Sequence, residues 1–300
     1  MMQERMKILI AYDGSECAEA ALDDLRRAGL PRRINATVLS VLDYWMPLPA
    51  SIGMVDTDFS QQLLKEEQEI MKQAQRAAGR LQKLFPEWEV SAETGLGVPG
   101  SVVVEKADLW KPDLIIAGSH GRSVFGRFFL GSVSQRIVNE SHCSVRVARG
   151  RVQEPDAPAR IIVGVDGSKG AEAAVKAIAA RHWPKDSEVR VVNAAWTLPP
   201  VTSDQVIGQV TTWITREQAR VRELTDAAQR RLRAAGLQTS CLVREEEPKH
   251  LLVHEAERWS ADCIFVGARG MGRLERFLIG SVSSAVAARA HCSVEIVRAT

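Results

Sequence analysis

Short apolar runs alternate along the chain with longer segments in which apolar residues recur every three or four positions. The runs "KILIAY", from Lys7, and "ATVLSVL", from Ala36, predict buried strands because they are brief and rich in Ile, Leu and Val. An apolar stripe from Phe59 to Leu84 predicts one long amphipathic helix. Strand and helix alternate in this way throughout, which is typical of a mostly parallel α/β sheet with helices on both faces. Ligands of such sheets usually bind at the carboxyl ends of the strands.

The second half of the chain repeats the first. The stretch "KILIAYDGSECAEAAL" returns as "RIIVGVDGSKGAEAAV", and "SHCSVRVAR" returns as "AHCSVEIVR". In both copies the first strand ends at Asp-Gly-Ser, so that Ser15 and Ser168 are predicted N-caps of the next helix. A repeat of this length predicts two tandem domains of the same fold.

We expect these domains at residues 1–150 and 160–300, each with a doubly wound, Rossmann-like, mostly parallel sheet. The segment 151–159, "RVQEPDAPA", contains two prolines and mixed charge, which is typical of an exposed linker. A chain of 300 residues fits two domains of ordinary size.

Composition and charge narrow the classes of function. With 45% apolar and 25% charged residues, the sequence predicts a globular protein. Lys and Arg number 39 against 37 Asp and Glu, so a net charge of +2 gives no electrostatic case for nucleic acid as a partner. We expect no membrane partner and a cytoplasmic location, because no apolar run reaches the length of a membrane span or a signal segment. Five cysteines without a C-x-x-C agree with reduced thiols.

A glycine pattern follows an apolar run near the end of the first half. Gly118 and Gly121 precede Gly131 and Ser132 in the spacing G-x-x-G-(nine)-G-S. Glycine lets the backbone approach a ligand without a Cβ in the way. Gly131 and Ser132 open a predicted helix, whose first N–H groups are unpaired and carry the positive end of the helix dipole. This is an anion site, to which the hydroxyls of Ser132 and Ser134 would add hydrogen bonds.

The same spacing returns in the second half, from Gly267 through Gly270 to Gly280 and Ser281. Its recurrence after a predicted strand favours a phosphate cradle in both domains. The alternative is that duplication copied a purely structural turn.

With these motifs the chain resembles the universal stress proteins, in their tandem, nucleotide-binding form. The resemblance covers nearly the whole chain, since both halves carry the Asp after the first strand, the glycine motif and a final "CSV" strand. It implies five strands in each sheet and ATP as the ligand. It also implies that main-chain groups at Val41 and Ala194 hold the adenine, and it puts Asp13 and Asp166 at the nucleotide.

The residues assigned to ATP in this way fall into two matching sets. They are Asp13, Val41, Gly118, Gly121, Arg127, Gly131, Ser132, Val133 and Ser134 in the first half, and Asp166, Ala194, Gly267, Gly270, Arg276, Gly280, Ser281, Val282 and Ser283 in the second.

Two questions of charge stay open within these sets. A carboxylate beside phosphates is repulsive unless a cation bridges them or the carboxylate accepts ribose hydroxyls, so we expect either Mg²⁺ or a ribose contact at Asp13 and Asp166. Arg127 and Arg276 occupy equivalent places, which fits either a phosphate contact or a solvated loop. The second half also reads "EEP" up to Pro248 where the first reads "GVP", and these two added carboxylates count against the second site.

Histidines near the motifs are not assigned to chemistry. His120 stands opposite Arg269 in the repeat, so we expect a solvent-facing loop residue rather than a catalytic acid or base. His142 and His291 match each other before the final strands, where we expect packed or capping side chains.

The final strands "CSVRVAR" and "CSVEIVR" alternate apolar and polar residues. An exposed strand edge of this kind invites pairing. We therefore expect the two copies to pair these edges within one chain about a pseudo-two-fold axis. The sequence leaves open whether two chains also form a homodimer.

Together these features predict an ATP-binding regulatory protein of the stress response, with at most slow ATP hydrolysis or autophosphorylation. An efficient hydrolase needs a positioned base and a transition-state clamp, and only Asp13 and Asp166 match in both copies as bases. One alternative is a duplicated scaffold that has lost nucleotide and acts through protein partners. Another is an adenylylating enzyme of the same fold group, but such enzymes carry S-G-G-x-D-S where this chain reads "AYDGSE" and "GVDGSK".

Overall fold

A computed structural model describes residues 5–44, 57–120, 130–149, 154, 157–195, 204–270 and 279–299. The chain divides into two compact units, Met1–Val152 and Gln153–Thr300. The division falls at the start of the predicted linker 151–159, whose own bounds stay a prediction.

Unit 1 contains a parallel sheet of five strands in the order β3-β2-β1-β4-β5. Its strands are β1 (Met6–Ala11), β2 (Ile34–Asp43), β3 (Glu89–Gly97), β4 (Leu114–Gly118) and β5 (Ser144–Ala148). Its helices are α1 (Glu16–Asp24), α2 (Thr57–Leu84), α3 (Pro99–Trp110) and α4 (Ser132–Glu140). The predicted alternation of strand and helix is confirmed, and so is the parallel, Rossmann-like sheet.

Unit 2 repeats this arrangement with the strand order β8-β7-β6-β9-β10. Its strands are β6 (Arg160–Gly164), β7 (Glu188–Ala195), β8 (Gln238–Glu245), β9 (Cys263–Gly267) and β10 (Ser293–Val297). Its helices are α5 (Lys169–Ala179), α6 (Asp204–Ala234), α7 (Pro248–Arg258) and α8 (Ser281–Arg289).

Local sequence signals explain where the first helix of each unit begins. The Ser15 hydroxyl accepts a hydrogen bond from the Ala18 N–H at 3.2 Å, and the Ser168 hydroxyl accepts one from the Ala171 N–H at 3.1 Å. Both serines are therefore N-caps, as predicted. The caps fix the Asp-Gly-Ser turns directly at the carboxyl ends of β1 and β6.

The core of unit 1 lies between the sheet and the helices α1 and α2. The long helix α2 buries Ala74, Ala77 and Leu81 against strand residues such as Ile8 and Val38. These helix residues follow the three- and four-residue spacing of the apolar stripe. The predicted single long helix is confirmed in its described part.

The last strand of each unit carries one buried charge. Arg146 of β5 and Glu295 of β10 are each 1% exposed, although they belong to alternating apolar and polar stretches. Arg146 pairs with Asp24 at the end of α1, at 2.6 Å, and Glu295 pairs with Arg181 after α5. The two units thus use opposite charges at the same strand position. The expected pairing of the two final strands stays a prediction.

In the described part of the chain, none of the helices combines the length and the apolar character needed to cross a bilayer.

Candidate functional site

Unit 1 has a cavity of about 500 Å³ at the carboxyl ends of β1, β2 and β4. Such strand ends are the usual ligand site of a parallel α/β sheet. The predicted residues that line it are Asp13, Val41, Gly118, Gly131, Ser132, Val133 and Ser134. Residues far apart in sequence, from the first strand to the fourth helix, therefore meet in one place.

Unit 2 has a cavity of about 240 Å³ at the corresponding ends of β6, β7 and β9. The predicted residues that line it are Asp166, Ala194, Gly267, Gly270, Gly280, Ser281, Val282 and Ser283. Gly121, Arg127 and Arg276 lie outside the described residues.

The carboxylates of Asp13 and Asp166 are held in the same way. Asp13 Oδ1 accepts a hydrogen bond from the Ser15 N–H at 3.0 Å, and Asp166 Oδ1 accepts one from the Ser168 N–H at 2.9 Å. Gly14 and Gly167, which stand between the Asp and the Ser of each turn, have φ of +72° and +87°, a conformation that favours glycine. Each carboxylate is thus fixed at the mouth of its cavity by a tight turn.

In unit 2 the glycine motif lies beside this carboxylate. A Cβ placed on Gly270 would lie 2.8 Å from Asp166 Oδ2. The loop after β9 and the turn after β6 are therefore in close approach. A side chain at position 270 would occupy the space next to the carboxylate.

The first turns of α4 and α8 provide hydrogen-bond donors at the cavities. Gly131 and Gly280 are the N-cap residues, and within the described residues no side chain caps either helix. Each N-cap N–H donates to the preceding loop, from Gly131 to the Ser119 carbonyl at 2.8 Å and from Gly280 to the Ala268 carbonyl at 2.7 Å. The N–H groups of the following residues are left for a ligand, and the helix dipole favours an anion there.

The second serines of the motif have a structural contact. Ser134 Oγ donates to the Gly118 carbonyl, and Ser283 Oγ donates to the Gly267 carbonyl, each at 2.6 Å. These bonds tie the helix to the end of the neighbouring strand. Donation to a phosphate by either hydroxyl would require that tie to break, whereas main-chain N–H groups require no such change.

The first glycine of each motif is needed for packing. A Cβ on Gly118 would lie 3.0 Å from the Cys17 carbonyl group, and one on Gly267 would lie 2.3 Å from the Gly170 carbonyl carbon. The end of β4 or β9 therefore touches the start of α1 or α5. For the first glycine of the motif, this contact supports the alternative that the residue has a purely structural role.

His120 lies in the loop after β4, as expected, but it is half-buried and is part of the cavity wall in unit 1. Its Nδ1 is 3.1 Å from the Ser119 hydroxyl oxygen, and its Nε2 is buried without a hydrogen-bond partner among the described residues. Burial, and secondly the charge of Arg149, lower the pKa of His120. The imidazole is therefore neutral at pH 7. Its counterpart Arg269 lines the cavity of unit 2.

Sequence reasoning also missed a polar cluster behind the first cavity. Tyr12, which is 6% exposed, lines the cavity and donates its hydroxyl hydrogen to Glu19. Arg80 of α2 pairs with Glu19 and with Asp23 of α1. Burial, followed by the hydrogen bond to Glu19, raises the pKa of Tyr12, so the phenol stays protonated. The cluster holds α2, which contributes Gln73 to the cavity wall, against α1.

The matched histidines before the final strands form ion pairs away from the cavities. His142 Nδ1 lies 2.8 Å from Asp108 Oδ1, and His291 pairs with Glu257 in the same place of unit 2. Asp108 belongs to α3 and Glu257 belongs to α7, the helices that come before the glycine motif of each unit. The sequence predicts packed or capping residues at His142 and His291, and it does not indicate that each pairs with a carboxylate.

The added carboxylates of unit 2 do not belong to its cavity wall. Glu246 pairs with His254, and Glu247 pairs with Lys249 and His250. The residues of this segment that line the cavity are Pro248, Leu251 and Leu252. The sequence argument against the second site thus loses its basis.

The fold defines a tandem α/β protein in which each unit carries a cavity at the carboxyl ends of its strands. The family model for the universal stress protein family matches residues 4–149 and 159–298. The chain therefore belongs to the universal stress protein family.

Relatives of similar length share this two-domain arrangement. Universal stress protein Rv2005c of Mycobacterium tuberculosis is 28% identical over 312 residues, which cover 97% of this chain and 96% of the relative. Universal stress protein Rv2623 of the same organism is 28% identical over 300 residues, with the same coverage of both chains.

Solved structures of low sequence identity share the fold. A universal stress protein from Archaeoglobus fulgidus superposes with a TM-score of 0.59 at 17% identity, covering 97% of this chain and 96% of its own. A functionally unknown protein from Pseudomonas aeruginosa superposes with a TM-score of 0.62 at 15% identity, covering 99% and 94%.

Proposed function

We propose that each unit binds an adenine nucleotide, with ATP as the ligand, and that the protein acts as a regulatory stress protein. The observation that carries this proposal is a duplicated one. In both units an uncapped helix N-terminus, the first glycine of the motif and a fixed carboxylate line one cavity. Membership of the universal stress protein family supports the regulatory role.

The phosphates would bind the main-chain N–H groups in the first turns of α4 and α8. These groups need no charged side chain, because the helix dipole and unpaired donors already favour an anion. Ser132 and Ser281 add hydroxyls at the same turns. The adenine would lie against the main chain at Val41 in unit 1 and Ala194 in unit 2, where the strand ends provide hydrogen-bonding groups beside apolar walls.

The carboxylates of Asp13 and Asp166 would accept ribose hydroxyls or help to hold Mg²⁺. The described residues contain no group of three or more His, Cys, Asp and Glu side chains suited to a metal. A Mg²⁺ ion that enters with ATP fits this set better, since such an ion takes most of its ligands from phosphate oxygens and water. When bound, the ion would neutralise part of the phosphate charge next to the carboxylate.

Titration calorimetry with ATP and Mg²⁺ tests the proposal. We expect the unmodified protein to bind ATP, and Gly131→Asp together with Gly280→Asp to abolish binding. Both glycines have ordinary backbone angles, with φ of −61° and −68°, and Asp is a good N-cap, so the fold should persist. The new carboxylate would occupy the place of the phosphate and repel it.

Gly131→Ser and Gly280→Ser are the matched controls. Serine can accept hydrogen bonds from the same first-turn N–H groups but brings no charge, so these variants should weaken ATP binding less than the Asp variants do. Circular dichroism should show the same helix content in all variants. No binding by the unmodified protein, or normal binding by the double Asp variant, would contradict the proposal.

Measuring ATP hydrolysis separates the regulatory role from an enzymatic one. We expect turnover well below about 1 s⁻¹, the low end of ordinary enzymes. A steady rate above that value would show an ATPase. Absence of binding together with recovery of a stable protein partner would favour the scaffold alternative.

A further inference from the structure

The two cavities differ at one equivalent position of their walls. Two residues after β4 the chain has His120, and two residues after β9 it has Arg269. Both line the cavity of their own unit. Four flanking residues match, since Gly118, Gly131, Ser132 and Ser134 correspond to Gly267, Gly280, Ser281 and Ser283, whereas Ser119, the partner of His120, stands opposite Ala268. The wall therefore differs in its chemistry at this pair of positions, while these four residues of the proposed cradle are kept.

His120 lines the cavity of unit 1, and one of its ring nitrogens has no hydrogen-bond partner among the described residues. Nδ1 is occupied by the Ser119 hydroxyl, and the buried Nε2 has no partner among the described residues. A buried polar atom without a hydrogen bond is costly, so a ligand group that pairs with Nε2 would recover that cost. Because Nε2 is closed off from solvent, a ligand in the cavity reaches it only after a rotation of the imidazole, which the new hydrogen bond would favour.

Arg269 brings a permanent positive charge to the second cavity. Its backbone is fixed, because its carbonyl oxygen accepts a hydrogen bond from the Ser168 hydroxyl at 3.2 Å. A Cβ on Gly170 would lie only 2.5 Å from that same oxygen, so the loop rests directly on the start of α5. Within the described part of the chain, no ion pair engages its guanidinium. The backbone of Arg269 is thus fixed at the cavity wall, within reach of which its side chain carries a positive charge.

The other charged groups around the two cavities add to this difference. The wall of unit 1 contains the carboxylates of Asp13 and Asp43, and Arg149 lies close enough to His120 to influence its titration. In unit 2 Asp166 has Arg220 of α6 beside it, with Nη1 at 3.5 Å from its main-chain oxygen. Glu217 in turn binds the Arg220 guanidinium through two hydrogen bonds.

We propose that His120 and Arg269 contact the bound ligand and that they give the two sites different preferences for phosphate charge. This rests on the proposed nucleotide binding. The site of unit 2 prefers the more highly charged ATP over AMP, because the guanidinium attracts each added phosphate charge. The site of unit 1 has a neutral imidazole at this position at pH 7, so its affinities for ATP and AMP differ less.

The pH dependence follows from the same difference. An anionic ligand favours the protonated imidazole, so its binding raises the pKa of His120 above the lowered value of the free protein. Affinity at unit 1 therefore increases as the pH falls through the range between these two values. Arg269 keeps its charge over that range, so unit 2 lacks this contribution.

Single-site proteins make the measurement possible. Gly280→Asp leaves only the site of unit 1, and Gly131→Asp leaves only the site of unit 2. Affinities for ATP and AMP are measured by calorimetry between about pH 5.5 and 8. Because a terminal phosphate itself titrates near about pH 6, each series is compared with its Gln variant at the same pH.

In the unit 1 protein we expect His120→Arg to raise the preference for ATP over AMP about tenfold and to remove the extra pH dependence. His120→Gln should remove the pH dependence alone. In the unit 2 protein Arg269→His should lower the preference about tenfold at pH 7.5 and introduce the pH dependence. These reciprocal changes would support the proposal.

His142→Gln is the matched control for unit 1, because His142 pairs with Asp108 away from the cavity. Arg230→Gln is the matched control for unit 2, because Arg230 is exposed on α6. Both variants should leave the ratio of ATP to AMP affinity and its dependence on pH unchanged. The proposal is overturned if His120→Gln and Arg269→Gln bind ATP and AMP as their parent proteins do at every pH. Absence of ATP binding by the unmodified protein would instead overturn the proposed function, and this inference with it.

Discussion

Gly267 shows how one residue can be fixed by packing at the edge of a ligand site. A Cβ at this position would lie 2.3 Å from the Gly170 carbonyl carbon and 2.7 Å from the Ala171 nitrogen, and both are backbone atoms. We therefore expect Gly267→Ala to push β9 and α5 apart and to lower the free energy of unfolding by about 1–3 kcal/mol. Urea unfolding measures the loss.

Gly79 provides a control of opposite sign for this substitution. It lies within α2, is exposed, and would have no atom within 4 Å of an added Cβ. Gly79→Ala should raise the free energy of unfolding by about 0.5–1 kcal/mol, because alanine favours the helix. If both substitutions changed the free energy of unfolding equally, the space available for an added Cβ would not explain the change.

The same residues show how far sequence reasoning reaches at this scale. The repeat singled out Gly118 and Gly267 as positions without a side chain. It does not distinguish a glycine required by a ligand from one required by a neighbouring helix, since both need the absence of a Cβ. For His120 the comparison between copies showed a mismatch with Arg269, and a mismatch alone does not reveal that both residues line a cavity. The burial of Nε2 depends on packing between segments that are distant in sequence.

At the scale of elements, α7 is held to the sheet by a buried ion-pair network. Glu255 is 2% exposed and pairs with Arg190 of β7 and with Arg258 of its own helix. The Arg190 guanidinium also stacks on the ring of Trp259, at 4.1 Å from its centroid. The network positions the helix that contributes Leu251 and Leu252 to the cavity wall.

We expect Glu255→Ala to destabilise the protein by about 3 kcal/mol, because it leaves the partly buried Arg190 without its carboxylate. Arg258→Ala should cost at most about 1 kcal/mol, since the Arg258 side chain is 59% exposed. Chemical denaturation of both variants checks this order. A larger loss for Arg258→Ala would contradict it.

Elements were easier to predict than their polar contacts. The alternation of apolar runs and helical stripes indicated the parallel fold, and the proline near the start of "GVPGS" marked the first turn of α3 at Pro99. These signals are local, so one sequence is enough to interpret them. The pairing of Glu255 with Arg190 joins positions 65 residues apart, and no local pattern indicates which partners meet.

For the whole molecule, each unit has a cavity lined by its own residues, as far as the described part of the chain shows. The described lining residues of one cavity all belong to unit 1, and those of the other all belong to unit 2. Duplication thus preserved two frameworks, while substitutions such as His120 against Arg269 and Arg146 against Glu295 changed their charges. This arrangement supports the proposal of two nucleotide sites with separate chemistry in one chain.

Hydrogen exchange followed by mass spectrometry tests this independence. With ATP and Mg²⁺ in about hundredfold excess over the dissociation constant, binding stabilises the native site by about 2.7 kcal/mol, which slows exchange. We expect protection at the turn after β1 and in the first turn of α4, and at the corresponding places in unit 2. In Gly131→Asp the protection should be lost in unit 1 and kept in unit 2, because the substituted residue belongs to one cavity wall only. Gly280→Asp should give the reverse pattern. Loss of protection in both units from either single substitution would show that the two sites bind as one.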